Sequence, residues 1–165
     1  MSPTESNGAT RLALDTNVWL DWLVFHDPGV APIKGAVANG NACIFISSAC
    51  LTELTRVLGY ALSGRALDAA AQAAALAQCV ALTHAVEDCI EAHAIDMLPK
   101  CEDPDDQIFL ELARDCRADF LLTKDRDLLA LATRKVKPLP FRIVTPREFM
   151  HGLNLKLSSA AQSNK

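Results

Sequence analysis

No apolar run in these 165 residues approaches the roughly 20 needed to cross a bilayer. The first ten residues, MSPTESNGAT, lack a basic start followed by an apolar stretch, so they do not read as a secretory signal. The expected location is the cytoplasm. There is no G-x-x-x-x-G-K-[ST] and no G-x-G-x-x-G, which argues against nucleoside triphosphate or dinucleotide binding. The six cysteines, Cys43, Cys50, Cys79, Cys89, Cys101 and Cys116, contain no Cys-x-x-Cys pair and no zinc-like Cys/His spacing. They read as reduced residues of the core. His26, His84, His93 and His151 are scattered and suggest no histidine-based centre. No internal repeat is visible.

What is present is a globular composition, with half the residues hydrophobic and 22% charged. The length suits one domain with a real core. Net charge is −4, unevenly spread. Residues 1–113 hold five Lys/Arg against fifteen Asp/Glu, and residues 114–156 hold ten against five. Such asymmetry allows a carboxylate-rich pocket beside a basic surface.

Along the chain, residues 1–10 read as a flexible tail, 11–150 as the folded domain and 151–165 as a second tail. Short, nearly all-apolar runs at 11–15, ACIFIS, ADFLLT and FRIV predict four buried strands. Helical stretches lie between them: NVWLDWLVF, VAPIKGAVANG, ACLTELTRVLGY capped by Ser47 or Ser48, RALDAAAQAAALAQCVAL, AVEDCIEAHAI, DPDDQIFLELARDC and DRDLLALA. TPREFM adds a last turn. Trp19, Trp22 and Phe25, three apart, read as helix core and not as base-stacking groups. Strands alternating with helices imply a three-layer α/β/α sandwich around a mainly parallel sheet. Active sites of such sheets lie at the carboxyl ends of the strands.

Two acids fall there. Asp15 ends the first strand, where a carboxylate is costly to bury without a partner. Asp125 follows DFLLT. Glu53 lies toward the edge of the Leu51, Leu54, Leu58 stripe, on a helix that starts from the same sheet edge. Asp106 opens the next long helix and shares the face of Phe109 and Ala113. Asp103 and Asp105 are explained by capping and helix-dipole complementarity. Four packed carboxylates repel and raise one another's pKa values unless a cation sits among them. Oxygen-only donors select hard ions, Mg²⁺ or Mn²⁺. Such ions suit phosphoryl chemistry and make a Ser or His nucleophile unnecessary.

LALDTNVWLDWL, SSACLTELTRVL, CEDPDDQIFLELARDCRADFLLTKDRDLL and FRIVTPREF resemble the PIN-domain nuclease family, in particular its VapC-like branch of toxin–antitoxin toxins. The resemblance spans about 11–150 and is most specific from Cys101 to Leu129. It implies that Asp15, Glu53, Asp106 and Asp125 are metal-binding and catalytic. It further implies that Asn17 orients Asp15, that Thr123 supports the site and that Asp127 is an accessory acid. The implied activity is Mg²⁺- or Mn²⁺-dependent RNA cleavage. The implied partners are RNA, a small antitoxin and a second copy of the chain, with no membrane. Arg56, Lys124 and Arg126 are candidate phosphate-binding residues. Two alternatives stand beside this. One is a catalytically silent PIN-like interaction module. The other is an aspartyl-nucleophile phosphatase, which would want a second aspartate where Asn17 stands.

Overall fold

The structure is a computed structural model, and it describes residues 8–86, 98–134 and 138–153. Strand β1 (Thr10–Leu14) is buried along nearly its whole length. It lies between β2 (Ala42–Ser47) and β6 (Phe120–Leu122), with β5 (Thr83–Val86) and β7 (Arg142–Val144) at the two edges. The order is β5-β2-β1-β6-β7, and each pairing is parallel. Leu12, Leu14, Ile44, Leu121 and Leu122 are almost wholly excluded from solvent. That is what a parallel sheet covered on both faces demands, and it explains why these runs are apolar without alternation.

Helices connect the strands: α1 (Thr16–Leu20), α2 (Ala31–Ala38), α3 (Ser48–Leu58), α4 (Ala69–Leu82), α5 (Gln107–Asp115) and α6 (Arg126–Leu131). The expected three-layer α/β architecture is therefore present, with its central parallel sheet flanked by helices. Because all the strands run the same way, their carboxyl ends share one edge. Helix starts gather there too, several of them capped by a side chain. Ser47 accepts from the Cys50 amide at 3.3 Å and Asp125 from the amides of Asp127 and Leu128 at 2.8 and 3.1 Å. Asp103 accepts from the Asp105 amide at 2.9 Å, at the head of the 3₁₀ turn Pro104–Asp106 that leads into α5.

Several local expectations give way to tertiary structure. The alanine-rich helix starts at Ala69 and not at Arg65, because β3 (Ala61–Leu62) and β4 (Arg65–Ala66) form a small antiparallel hairpin. Its turn residues, Ser63 and Gly64, both have positive φ, the requirement of the tightest hairpin turn. Asp68 then caps α4 through the Ala71 amide. Residues 83–86 are strand where a helix was expected to cover 85–95. The open edge of β2 supplies a hydrogen-bonding ladder that local propensity does not register. The rest of that expected helix lies outside the described residues.

The first helix also departs from regularity. After α1 the chain widens into a π-helical turn, Asp21–Phe25, ended by His26 in the left-handed region. Trp19 and Trp22 are core, their rings 5.8 Å apart, but Phe25 is 45% exposed. At the other end residues 146–153 are helical, more than the single turn expected, and bury Phe149 and Leu153. Cys43, Cys50, Cys79, Cys101 and Cys116 are thiols and not disulfides. Cys89 lies outside the described residues.

Candidate metal centre

Asp15 leaves β1 and becomes the residue before α1. Its amide donates to the carbonyl of Leu122 at 3.0 Å, so the β1–β6 ladder runs on past the strand and carries the carboxylate to the sheet edge. The residue is only 4% exposed. Burial pushes its pKa up, and the negative charge of Asp125 pushes the same way. The Thr123 hydroxyl and the amides of Thr16 and Asn17 pull against that rise.

Thr123 is fully buried and joins two acids. Its Oγ1 accepts from the Asp125 amide at 2.9 Å and donates to Asp15 Oδ2 at 2.7 Å. A hydroxyl has one proton, so accepting from the amide leaves that proton for the carboxylate. Its own amide donates to the Val144 carbonyl, which ties the loop to β7.

Asp106 ends the 3₁₀ turn and starts α5. Its pKa is raised to about 6, first by partial burial and then by Asp125, Asp15, Asp103 and Asp127. Asp15 and Asp106, two of the four principal acids, thus both feel the charge of a third, Asp125. Among the described residues no salt bridge reaches any of these three.

Glu53 stands apart. The Arg56 guanidinium grips both of its carboxylate oxygens, at 2.5 and 2.9 Å, and also donates to the Tyr60 hydroxyl. Glu53 is not among the main groups that perturb Asp15 or Asp106. It lines an open groove of about 410 Å³ with Ser48, Ala49, Thr52, Pro104, Asp105 and Ile108. Asn17 is exposed, and the side-chain hydrogen bond that holds Asp15 comes from Thr123. Of the candidate phosphate-binding residues, Arg56 is committed to Glu53 and Lys124 to Asp21, while Arg126 is exposed without an ion pair among the described residues. Asp21 was not singled out by sequence reasoning. Its signal was an aspartate inside the apolar stretch VWLDWL, and the structure buries it.

Does this donor set suit a metal ion? Its chemistry does: oxygen-only carboxylates, one deeply buried, with the pKa values of Asp15 and Asp106 both raised. The geometry is not a closed cage. Among the described residues no group of three or more His, Cys, Asp or Glu side chains is placed to hold one ion.

A model of the PIN domain matches residues 11–127, well over half the chain and including all four principal acids. The chain belongs to the PIN-domain family. Solved structures show the same fold. A chain from the crystal structure of VapBC2 from Rickettsia felis, bound to a DNA fragment from its promoter, superposes with a TM-score of 0.56 at 13% identity. That match covers 82% of this chain and 98% of the other. PAE2754 from Pyrobaculum aerophilum superposes with a TM-score of 0.54 at 15% identity, covering 90% of this chain and 91% of the other. A comparison with curated proteins finds no match. In this PIN domain Asp15 and Asp125 both lie at the carboxyl edge of the parallel sheet.

Proposed function

We propose that this PIN domain is a divalent-metal-dependent endoribonuclease and the toxin of a toxin–antitoxin pair. The observation that carries the reading is the cluster of Asp15, Asp106 and Asp125. These acids come from three distant chain segments, burial and the charge of Asp125 raise the pKa values of Asp15 and Asp106, and no cation pairs with any of the three among the described residues. A fold does not keep such a cluster for stability, because uncompensated carboxylates oppose folding. The VapBC2 likeness supports the toxin reading and a small protein antitoxin as partner. A homodimer and a cytoplasmic location belong to the same proposal. No helix among the described residues is long and apolar enough to cross a membrane.

Asp15, Asp106 and Asp125 would hold Mg²⁺ or Mn²⁺, with Glu53 joining them once released from Arg56. The ion would supply Lewis-acid polarisation of a phosphate and a bound water of lowered pKa. The protein's own groups do the positioning. Thr123 fixes the rotamer of Asp15, and the α6 amides fix that of Asp125. Arg126, exposed beside Asp125, is free of ion pairs among the described residues and is the best placed of the three cations to meet an RNA phosphate. Asp127, in the first turn of α6, adds negative potential without being a required ligand.

A silent interaction module is the second reading. Two observations favour it: Arg56 occupies Glu53, and the acids do not close into a cage. The test is cleavage of a mixed RNA pool with Mg²⁺ or Mn²⁺, wild type beside Asp106→Asn. Metal-dependent cutting that the variant loses supports the nuclease. No cutting by antitoxin-free wild type on any RNA supports the module.

A further inference from the structure

Asp21 and Lys124 form an ion pair that the proposed chemistry does not use. Asp21 is 6% exposed, inside the π-helical turn that follows α1. π-Turns are rare and concentrate at functional sites. Lys124 is half exposed and sits between Thr123 and Asp125. Its ammonium could remain in water, yet it reaches back to a buried carboxylate. A buried aspartate needs such a partner, but a partner placed anywhere along the chain would serve.

The location of this one is what matters. Three successive residues of the loop after β6 are each anchored. Thr123 holds Asp15, at the start of α1. Lys124 holds Asp21, six residues further along the same helical segment. Asp125 caps α6 and donates its amide to Thr123. The β1–α1 segment and the β6–α6 loop are therefore joined at two points, and each carries one of the acids.

We infer that Asp21 and Lys124 are a positioning pair. By clamping the π-turn to the loop they set the separation of Asp15 and Asp125, and with it the affinity of the site for a divalent cation. The inference rests on the proposed metal centre. Lys124 is accordingly a strut and not a phosphate ligand, which leaves Arg126 for that role.

Charge alone makes the opposite prediction for one variant. Lys124→Met removes a cation beside a cation site, so a purely electrostatic influence would tighten metal binding. A positioning role loosens it, because Asp125 and Asp15 lose their shared brace. The experiment measures Mn²⁺ affinity by calorimetry, and metal-free melting temperature, for wild type, Lys124→Met, Lys124→Arg and Asp21→Asn. The expected result is about tenfold weaker Mn²⁺ binding for Lys124→Met, the low end of what supporting groups contribute at metal sites. Lys124→Arg, keeping charge and reach, stays close to wild type. Asp21→Asn weakens binding as well, and Lys124→Met keeps the inference testable if that buried variant does not fold. Unchanged or tighter Mn²⁺ binding by folded Lys124→Met overturns the positioning role while leaving the metal centre intact. Absence of Mn²⁺ binding by wild type overturns the metal centre itself, and the positioning role with it.

Discussion

The Thr123 hydroxyl lies 2.7 Å from Asp15 Oδ2, across 108 residues of sequence. This side-chain hydrogen bond ties the end of β1 to the end of β6, and both partners are buried. Replacing Thr123 by valine keeps the shape and removes the bond. The Asp15 carboxylate then loses a group that lowers its pKa, and the Asp125 amide loses its acceptor. Thr123→Val is expected to cost about 1–3 kcal/mol in urea unfolding and to weaken Mn²⁺ binding about tenfold. Thr123→Ser should recover most of both. Unchanged Mn²⁺ affinity in the valine variant would remove Thr123 from the site.

The raised pKa of Asp106 has a definite sign. Its carboxyl titrates near 6 in the folded chain, against an ordinary value of 3.8. The folded state therefore binds more protons than the unfolded state between those values. Its stabilising contribution is complete below about pH 4 and is lost as pH rises through 6. With chelator present, melting temperature should fall over that window on account of this group. Asp106→Asn should flatten the dependence, and Mg²⁺ should offset the loss at pH 7. A wild-type profile that the variant reproduces without change would show that Asp106 does not carry the charge strain.

Asp15→Asn separates stability from activity. Asparagine keeps an oxygen to accept from Thr123 and removes a buried negative charge that Asp125 opposes. The metal-free variant should melt higher than wild type, yet show no Mg²⁺-induced rise in melting temperature and no RNA cleavage. Metal-dependent cutting that survives in Asp15→Asn would overturn the proposed mechanism.

Asp68→Ala is the complementary case. Asp68 caps α4, and its carboxylate accepts from the Ala71 amide at 2.7 Å. It is not among the groups that act on Asp15 or Asp106. The substitution should cost about 1 kcal/mol of stability and leave kcat for RNA cleavage at the wild-type value. A lowered kcat at a temperature where the variant is fully folded would tie the α4 cap to the site.

Much of this molecule was legible in the chain. Apolar runs longer than a turn and flanked by capping residues identify β1, β2, β6 and β7 and most of the helices, because burial and capping are local demands. The acids at the strand ends were legible for the same reason, since a carboxylate directly after a buried strand needs a partner. β5 was not, because Thr83–Val86 is strand only by virtue of the open edge of β2. Nor was the β3–β4 hairpin, whose second strand takes Arg65 and Ala66 from the start of the expected alanine-rich helix.

The Glu53–Arg56 pair follows helix spacing, but the partner of Lys124 belongs to tertiary structure. Sequence spacing makes Lys124 and Arg56 look available to a phosphate, and the fold commits each to a carboxylate. Asn17 and Thr123 both look like supports for Asp15 from sequence, and in the fold the Thr123 hydroxyl bonds its carboxylate while Asn17 acts on it through the backbone amide. Sequence by itself determined which residues must be buried and which acids end up at the sheet edge, because hydrophobicity and helix capping act over a few residues. That Thr123 meets Asp15 and Lys124 meets Asp21 was decided only when parallel pairing of β1 with β6 brought segments 108 residues apart into register. These long-range hydrogen bonds and ion pairs depend on distances of a few ångströms that no local pattern encodes.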